Sequence, residues 1–187
     1  MLIRSFQHTD IEAVKKFTDI AVGQGYYSLE ELIENQKKAI AKNGDICSFM
    51  LVNKTDNSVH GLRLAYPPGN WDHSKGSQLR PELWPTKIED TAYFQSLFVS
   101  PELQGQGWGP QLAERSIEVF RKIGAKGIVA HCWKESPNNS SLRYLQNIGF
   151  KTIVEHPLYW INVNYQCTRD GYPCRCTAIE MHKSLKS

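Results

Sequence analysis

A glycine-rich segment, Gln104 to Pro110, constrains the fold more than any other part of the sequence. It follows a strand-like apolar run that ends at Val99, and it opens a helix-like pattern from Gln111 to Ile123. Three glycines in five positions leave backbone N–H groups uncovered, so a ligand can approach them closely. A strand, a loop of uncovered amides and the positive end of a helix together form a phosphate cradle. Pro110 agrees with this interpretation, because proline is tolerated at the first position of a helix.

The glycine spacing argues against two other phosphate-binding loops. A Walker loop ends in Gly-Lys-Ser or Gly-Lys-Thr, and neither tripeptide occurs in the sequence. A dinucleotide-binding fingerprint is G-x-G-x-x-G in an early strand–helix unit, whereas Gly105, Gly107 and Gly109 alternate with other residues past the middle of the chain. A nucleotide-hydrolysing P-loop is therefore excluded, and a dinucleotide-dependent oxidoreductase is disfavoured.

Two segments resemble the GCN5-related N-acetyltransferases, the GNAT family. The pattern Gln-x-x-Gly-x-Gly, which starts at Gln104, resembles the family's acetyl-CoA-binding loop. Residues 136–150 resemble its late helix, which opens near an asparagine and ends in Gly-Phe. The two segments flank a strand-like run, residues 127–132, and follow the family's order. The resemblance covers residues 90–150 and extends to the flanks only through the pattern of elements.

The resemblance implies a fold and an activity. The fold is the α/β acyl-CoA N-acyltransferase fold, with a central mixed, mostly antiparallel sheet and helices on both faces. The predicted single N-acetyltransferase domain spans residues 1–187 and moves an acetyl group from acetyl-CoA to a primary amine by direct attack in a ternary complex. The alternative is an acetyl-CoA-binding sensor or interaction module with weak or no catalysis, which would bind acetyl-CoA without releasing its thiol to amines.

The composition bounds the partners and the compartment. A net charge of +3 without a cluster of Lys or Arg gives no indication of nucleic acid. No apolar stretch approaches the ~20 residues that span a bilayer, and polar residues near the start predict no signal peptide. Five cysteines without such a signal predict reduced thiols in a cytoplasmic protein. The acceptor is a small-molecule or peptide amine, and a homodimer through the C-terminal strands is a further prediction.

The cofactor residues follow from the resemblance. In the family, the strand before the glycine loop splays from its neighbour, and the loop amides hold the pyrophosphate of coenzyme A. An asparagine in the late helix contacts the pantetheine arm. The predicted cofactor-binding residues are therefore Phe98, Val99, Gln104, Gly105, Gln106, Gly107, Trp108, Gly109, Pro110 and Asn138. Asn138 has an alternative role, which is to cap the helix beside Ser136.

Acetyl transfer to an amine needs a proton acceptor. A lysine-like amine with a pKa of ~10.4 is neutral in only about one part in two thousand at pH 7. His131 ends the strand-like run and has a suitable pKa range. Asp90 lies upstream of the glycine loop and could act through water. The strand residues Gln95 and Ser96, where some relatives carry a glutamate, are not carboxylates.

The departing thiolate sets a second requirement. Many relatives place a tyrosine four residues before the glycine of Gly-Phe, where it protonates the thiolate, but that position is Leu145 here. Tyr144 is one residue away, and one residue rotates a helical side chain by about 100°. Either Tyr144 reaches the sulfur from a shifted helix, or no side chain protonates the thiolate.

The rest of the pattern predicts the order of the elements. A strand over residues 2–7 precedes a helix that opens on the capping box Thr9–Glu12. A second capping box, Ser28–Glu31, opens a helix that ends at Asn43-Gly44. Two strands then lead to a long insertion loop, residues 66–90, in which two tryptophans indicate partial packing. This loop could line a substrate pocket or be a surface excursion pinned by its aromatic residues.

The C-terminal region is predicted to form a hairpin of two strands over residues 158–182. It carries Cys167, Cys174 and Cys176, which could converge. A closed zinc site needs a fourth ligand, which His156 or His182 could supply, but no CxxC pair is present. The prediction is no metal and reduced thiols, with zinc as the open alternative. A Cys167–Cys174 disulfide would fit only an oxidising compartment.

Overall fold

Strands and helices alternate in the computed structural model, which describes residues 1–71 and 78–185. The strands are β1 (Leu2–Ser5), β2 (Phe49–Val52), β3 (Val59–Tyr66), β4 (Thr91–Val99), β5 (Gly127–Trp133), β6 (Lys151–His156) and β7 (Ala178–Ser184). The helices are α1 (Ile11–Ala21), α2 (Leu29–Lys38), α3 (Trp108–Lys122) and α4 (Ser140–Asn147).

The strands form one sheet in the order β1-β2-β3-β4-β5-β7-β6. Within the described residues, β4 and β5 are parallel and every other neighbouring pair is antiparallel. The predicted mixed, mostly antiparallel α/β fold is therefore confirmed. In the same part of the chain, no helix combines the length and the apolar character needed to cross a membrane.

Helices cover both faces of the sheet because successive side chains of a strand point to opposite faces. The face that includes Leu62 and Tyr93 packs against α1 and α2, and the face that includes Ala65 and Phe94 packs against α3 and α4. Apolar spacing fixes which side of α3 is buried, and that side consists of Leu112, Ala113, Ser116, Ile117 and Phe120. Adjacent residues of β4 thus anchor two separate cores.

The second predicted capping box is confirmed and the first is wrong. The Ser28 hydroxyl accepts the N–H of Glu31, and the Glu31 carboxylate accepts the N–H of Ser28. Near the first helix, Asp10 instead accepts the N–H of Gln7 and binds Arg4 at 2.7 Å. This ion pair draws Asp10 into a 3₁₀ turn, so α1 begins at Ile11 and Thr9 is not its cap. The second helix ends at Lys38, before the predicted stop at Asn43-Gly44.

The predicted C-terminal hairpin over 158–182 is wrong in its first half. Residues 157–177 contain no strand or helix; Cys167 and Gly171 form an isolated β-bridge, and the N–H of Tyr159 donates to the carbonyl of Cys176 at 3.1 Å. The partner of β7 is β6, which the sequence analysis missed, and β7 lies between β5 and β6. Since both edges of β7 are already paired, it has no edge for the predicted pairing with a second chain.

The insertion loop packs through its tryptophans, as predicted. Trp71 stacks on Tyr93 with ring centroids 4.9 Å apart and donates its indole N–H to the carbonyl of Thr91. Trp84 is also buried and donates to the Glu180 carboxylate. None of its described residues lines the large cleft discussed below, so they form a surface excursion pinned by aromatic residues; residues 72–77 lie outside the described part.

Candidate active site

The cleft opens where β4 and β5 separate. Their parallel pairing runs from Thr91 beside Gly127 to Phe94 beside Ala130 and then stops. At that point the register between β3 and β4 shifts, which makes Gln95 an extra residue on β4. Such a bulge bends a strand, so the second half of β4 turns away from β5. The N–H groups on that side of β4 then have no strand partner.

The glycine loop after β4 presents consecutive backbone donors. Gly105 and Gly107 have φ values of 75° and 81°, which side-chain-bearing residues rarely adopt. Among the described residues, the N–H groups of residues 105–109 make no short, well-aligned hydrogen bond. Gly107 is also the N-cap of α3, so the positive end of the helix dipole lies at the same place.

The helix starts earlier than the sequence analysis predicted. It begins at Trp108 and not at Gln111, so Pro110 is its third residue and not its first. Proline is tolerated there because N–H groups of the first turn have no acceptor within the helix. A Cβ atom on Gly109 would lie 3.2 Å from Leu97 Cδ2, so this glycine lets the helix approach β4 closely.

The loop and the splayed strands line a cleft of about 840 Å³. The predicted cofactor-binding residues that line it are Phe98, Val99, Gln104, Gly105, Gly107, Trp108, Gly109 and Pro110. Gln106 and Asn138 do not line it. Among the described residues, its permanently charged side chains are Arg63 and Arg143, and no carboxylate is present. The cleft therefore fits an anionic ligand.

The structure places Asn138 just before α4, where it is exposed and has a left-handed φ of 54°. Its alternative role as a helix cap belongs instead to Ser136, whose hydroxyl accepts the N–H of Ser141 at 3.1 Å. The contact of Asn138 with a pantetheine arm stays a prediction.

Tyr144 faces the cleft, whereas Leu145 is buried in the core below it. The Tyr144 hydroxyl accepts a hydrogen bond from Arg63 at 2.7 Å. A Cβ on Gly109 would lie 3.8 Å from the Tyr144 ring, so the tyrosine lies beside the start of α3. Burial raises the pKa of Tyr144, which Arg63 partly opposes, so the hydroxyl keeps its proton near neutral pH. That Tyr144 protonates the departing thiolate stays a prediction.

Arg63 is a buried residue that the sequence analysis missed. It donates to the carbonyl of Ser96 at 3.2 Å, and its guanidinium lies 4.2 Å from the centre of the Phe94 ring. Burial lowers the pKa of Arg63, although Tyr144 favours the charged form. Because arginine has no acceptor atoms, it leaves the Tyr144 proton available for another group. The sequence indicates Arg63 only as a charged residue between two leucines of β3.

His131 lies at the cleft with both ring nitrogens turned towards neighbours. Nδ1 is 3.2 Å from the Tyr93 hydroxyl, and Nε2 is 3.4 Å from Glu180 Oε2. Its side chain is only 2% exposed, and its ring stacks on Tyr159 at 4.7 Å. Burial lowers the pKa of His131, with Glu180 opposing the shift, so the imidazole is neutral near pH 7. Nε2 makes no hydrogen bond to a described residue, but the nearby negative charge of Glu180 favours a proton on Nε2, which leaves Nδ1 as an acceptor.

Glu180 is a second functional candidate that the sequence analysis missed. It is fully buried on β7, and its carboxylate accepts the Trp84 N–H, the backbone N–H of Arg80 and a hydrogen bond from His156 at 2.7 Å. Burial alone would raise the pKa of Glu180, but contacts from His131, His156 and Trp84 lower it to about 2. An ionised carboxylate behind His131 would stabilise a protonated imidazole. The sequence indicates Glu180 only as an acidic residue between two apolar residues of β7.

The structure does not bring Asp90 to the cleft. This residue precedes the first residue of β4, whereas the strand opens only after Phe94. Its carboxylate binds Lys126 at 2.8 Å. A separation of four strand residues corresponds to roughly 13 Å, which is too far for Asp90 to act through one water molecule.

A set of aromatic side chains also lines the cleft. We name it the aromatic wall, and it consists of Tyr26, Tyr159, Trp160 and Tyr165. Tyr26 and Tyr165 meet edge to face with ring centroids 5.0 Å apart. Three of the four belong to the irregular segment 157–177, so the sequence analysis, which predicted a hairpin there, did not find this surface.

The sequence itself decides the family. The sequence model of the acetyltransferase (GNAT) family matches residues 12–150, which is most of the chain. The chain belongs to the GNAT family. The matched range includes both the motif that starts at Gln104 and residues 136–150, on which the resemblance was based. Comparison with curated protein sequences finds no significant match.

Solved structures of GNAT proteins share the fold at low sequence identity. The ribosomal-protein-S18-alanine N-acetyltransferase of Escherichia coli is 18% identical with a TM-score of 0.69, and the match covers 100% of this chain and 94% of that one. An N-acetyltransferase of Staphylococcus aureus Mu50 is 19% identical with a TM-score of 0.65, over 99% and 98% of the two chains. A chain of the NatC complex, bound to Gag peptide and CoA, is 15% identical with a TM-score of 0.66, over 99% and 98%.

Proposed function

We propose that this GNAT protein transfers an acetyl group from acetyl-CoA to an amine of low basicity, of the kind found at the N-terminus of a peptide. The observation that carries the proposal is that two sets of backbone donors line one cleft: the N–H groups of the splayed half of β4 that have lost a partner on β5, and the N–H groups of residues 105–109. Backbone N–H groups at a helix N-terminus are well suited to phosphate oxygens. Side-chain volume at Gly105 or Gly107 would obstruct that approach.

The acceptor class follows from charge. Among the described lining residues there is no carboxylate to attract a polycation or a lysine ammonium group. A peptide α-amine has a pKa of about 7.8, so about one molecule in seven is neutral at pH 7. The aromatic wall would pack against the first side chains of such a peptide. One similar structure is a ribosomal-protein-S18-alanine N-acetyltransferase and another is the NatC complex bound to Gag peptide and CoA, which supports the same acceptor class.

The residues of the chain supply three functions to the transfer. The amides of residues 105–109 and the positive end of α3 would hold the pyrophosphate of acetyl-CoA, whose thioester supplies the acetyl group. Unpaired N–H groups of β4 would donate to the carbonyl oxygen of the thioester as it becomes negatively charged. Tyr144, with Arg63 donating to its oxygen, would pass its proton to the departing sulfur.

The proton of the amine would leave through a short relay. The Tyr93 hydroxyl would take a proton from the amine and give its own to Nδ1 of His131. The imidazolium formed in this way would be stabilised by the ionised carboxylate of Glu180. This assigns His131 as the proton acceptor and Tyr93 as the group between it and the amine.

Release of coenzyme A thiol tests the proposal. The purified protein would be incubated with acetyl-CoA and a panel of free-N-terminus peptides, N-terminally blocked lysine peptides and polyamines. We expect amine-dependent thiol release with the free-N-terminus peptides and the new acetyl group on the α-nitrogen by mass spectrometry. Preferential acetylation of lysine or polyamines would contradict the acceptor class. Tight acetyl-CoA binding without thiol release from any amine would support the sensor alternative.

A further inference from the structure

Three of the five cysteines converge with one aspartate in the irregular segment 157–177. The ligand atoms of Cys167, Asp170, Cys174 and Cys176 all lie within 4.8 Å of one another. The three cysteines are buried and free of disulfides, and the aspartate is exposed at the rim. We name these four residues the Cys3Asp cluster. The fold of the GNAT family and the proposed acetyl transfer do not account for it.

Two distances within the cluster match those of a tetrahedral zinc site. Zinc binds thiolate sulfur at about 2.3 Å, so two sulfurs at tetrahedral corners lie about 3.8 Å apart. The Sγ atoms of Cys167 and Cys176 are 3.7 Å apart. A tetrahedral sulfur–oxygen pair, with a zinc–oxygen distance of about 2.0 Å, would lie about 3.5 Å apart. Cys176 Sγ lies 3.4 Å from Asp170 Oδ2.

The backbone and the surrounding side chains hold these ligands in place. Cys167 and Gly171 exchange two backbone hydrogen bonds of 2.9 Å, which form the tight turn that carries the aspartate. The N–H of Arg175 donates to Asp170 Oδ2 at 3.0 Å, and the Tyr165 hydroxyl donates to Cys174 Sγ at 3.3 Å. Hydrogen bonds of this kind orient metal ligands and stabilise thiolates.

Residues 157–177 have no regular secondary structure, so a metal site would add to the hydrogen bonds and ring contacts that order them. Loops longer than about 12–15 residues without secondary structure are uncommon in compact domains. The apolar residues that pack on the three cysteines are Trp133, Trp160 and Tyr165, so the small core of this segment is built around thiols. A metal ion that binds the folded form contributes directly to the free energy of folding.

We propose that Cys167, Asp170, Cys174 and Cys176 bind one structural zinc ion that orders residues 157–177. The fourth ligand is Asp170, not His156 or His182, because His156 binds Glu180 and His182 binds Thr86. The zinc ion therefore holds the aromatic wall, which includes Tyr159, Trp160 and Tyr165, in position. The proposal is independent of acetyl transfer, since metal content is measured without any acyl donor.

Metal analysis of the whole protein tests the site. The protein would be purified under reducing conditions without added metal or chelator, as wild type and as the variants Cys174→Ser, Asp170→Asn and Cys47→Ala. We expect about one zinc per chain in the wild type and in Cys47→Ala, whose buried thiol lies outside the cluster, and less than about one-tenth in Cys174→Ser. Asp170→Asn should bind zinc more weakly and lose it to a mild chelator that leaves the wild type loaded.

Cobalt substitution keeps the test decisive if Cys174→Ser fails to fold. Wild-type protein loaded with Co²⁺ should show thiolate-to-cobalt charge-transfer bands and the intense visible bands of a tetrahedral site, and a chelator should lower its melting temperature. Less than about one-tenth equivalent of metal in folded wild type would overturn the proposal. So would iron in place of zinc, unchanged metal content in folded Cys174→Ser, or an octahedral cobalt spectrum.

Discussion

The two sides of the cleft are built in opposite ways. The cofactor side consists of backbone: the splayed half of β4, the loop from Gln104 to Gly107 and the first turn of α3. The aromatic wall consists of side chains from distant parts of the chain, with Tyr26 near α1 and Tyr159 beyond β6. The comparison teaches that a surface made of backbone can be predicted from local sequence. A surface made of converging side chains needs the tertiary structure.

The prediction with the largest expected effect concerns the proton relay on the aromatic side. His131→Gln should lower kcat by roughly a hundredfold to ten-thousandfold, which is the usual contribution of a positioned base. Steady-state kinetics on a free-N-terminus peptide would measure the change, and titration should show the same acetyl-CoA affinity as the wild type. The exposed residue His8 offers a matched control, because His8→Gln should retain the wild-type rate. An unchanged kcat in His131→Gln would show that His131 does not accept the proton of the amine.

The pH dependence of stability tests the charge states of buried groups near the relay, since Glu180 and His182 both have a lowered pKa. Burial lowers the pKa of His182 to about 4, so its contribution is complete above pH 6.5 and is lost as the pH falls from 6.5 to 4. The pKa of Glu180 is about 2, so its contribution is lost between pH 4.5 and pH 2. Each shift corresponds to a free energy of unfolding on the order of 3 kcal/mol.

Urea unfolding at a series of pH values measures these two contributions. The wild type should lose stability in two successive steps as the pH falls. Glu180→Gln should reduce the loss between pH 4.5 and pH 2, and His182→Asn should reduce the loss between pH 6.5 and pH 4, to which the buried His131 also contributes. An unchanged profile in Glu180→Gln would show that the buried carboxylate is not ionised as the relay requires, and an unchanged profile in His182→Asn would show that burial does not lower the pKa of His182.

Tyr144→Phe tests the cofactor side and should have a smaller effect. We expect kcat to fall by about tenfold, because a thiolate leaves tolerably without a proton, while the affinity for acetyl-CoA is unchanged. An acetyl thioester of a more acidic thiol should restore most of the rate. Tyr172→Phe, at an exposed tyrosine outside the cleft lining, is the matched control. If kcat fell equally with acetyl-CoA and with the thioester of the more acidic thiol, Tyr144 would serve only to position Arg63 and not to protonate the thiolate.

The sequence predicted what depends on local chemistry. Glycines at Gly105 and Gly107 are required by left-handed backbone, and the loop they form follows a strand and opens a helix as expected. The Ser28–Glu31 capping box is also a local arrangement. The bulge at Gln95, which opens the cleft, comes from the pairing of β3 with β4, and no pattern within β4 indicates it.

The sequence could not predict arrangements that depend on distant partners. Tyr144 reaches the cleft because its helix packs through Leu145, and its register is set by the core and not by helical spacing alone. Glu180 and His131 meet because β7 pairs with β5, although they lie far apart along the chain. For Asp90 the prediction failed in the opposite way. The residue is close in sequence to β4, but it lies at the start of that strand, whereas the cleft opens after Phe94.

Calorimetric titration with acetyl-CoA tests the central claim, which is that the backbone donors of the glycine loop bind the cofactor. Three proteins would be compared: wild type, Gly107→Glu and Gly44→Glu. Gly44 also has a left-handed φ, of 86°, and open space around it, so this variant has the same backbone strain and charge at a remote turn. The added carboxylate in Gly107→Glu would repel phosphate.

The account predicts saturable one-to-one binding by the wild type and by Gly44→Glu, with no response to NAD. It predicts at least about a hundredfold weaker binding by a folded Gly107→Glu. Wild-type affinity in a folded Gly107→Glu, or no binding of acetyl-CoA by the wild type, would contradict it.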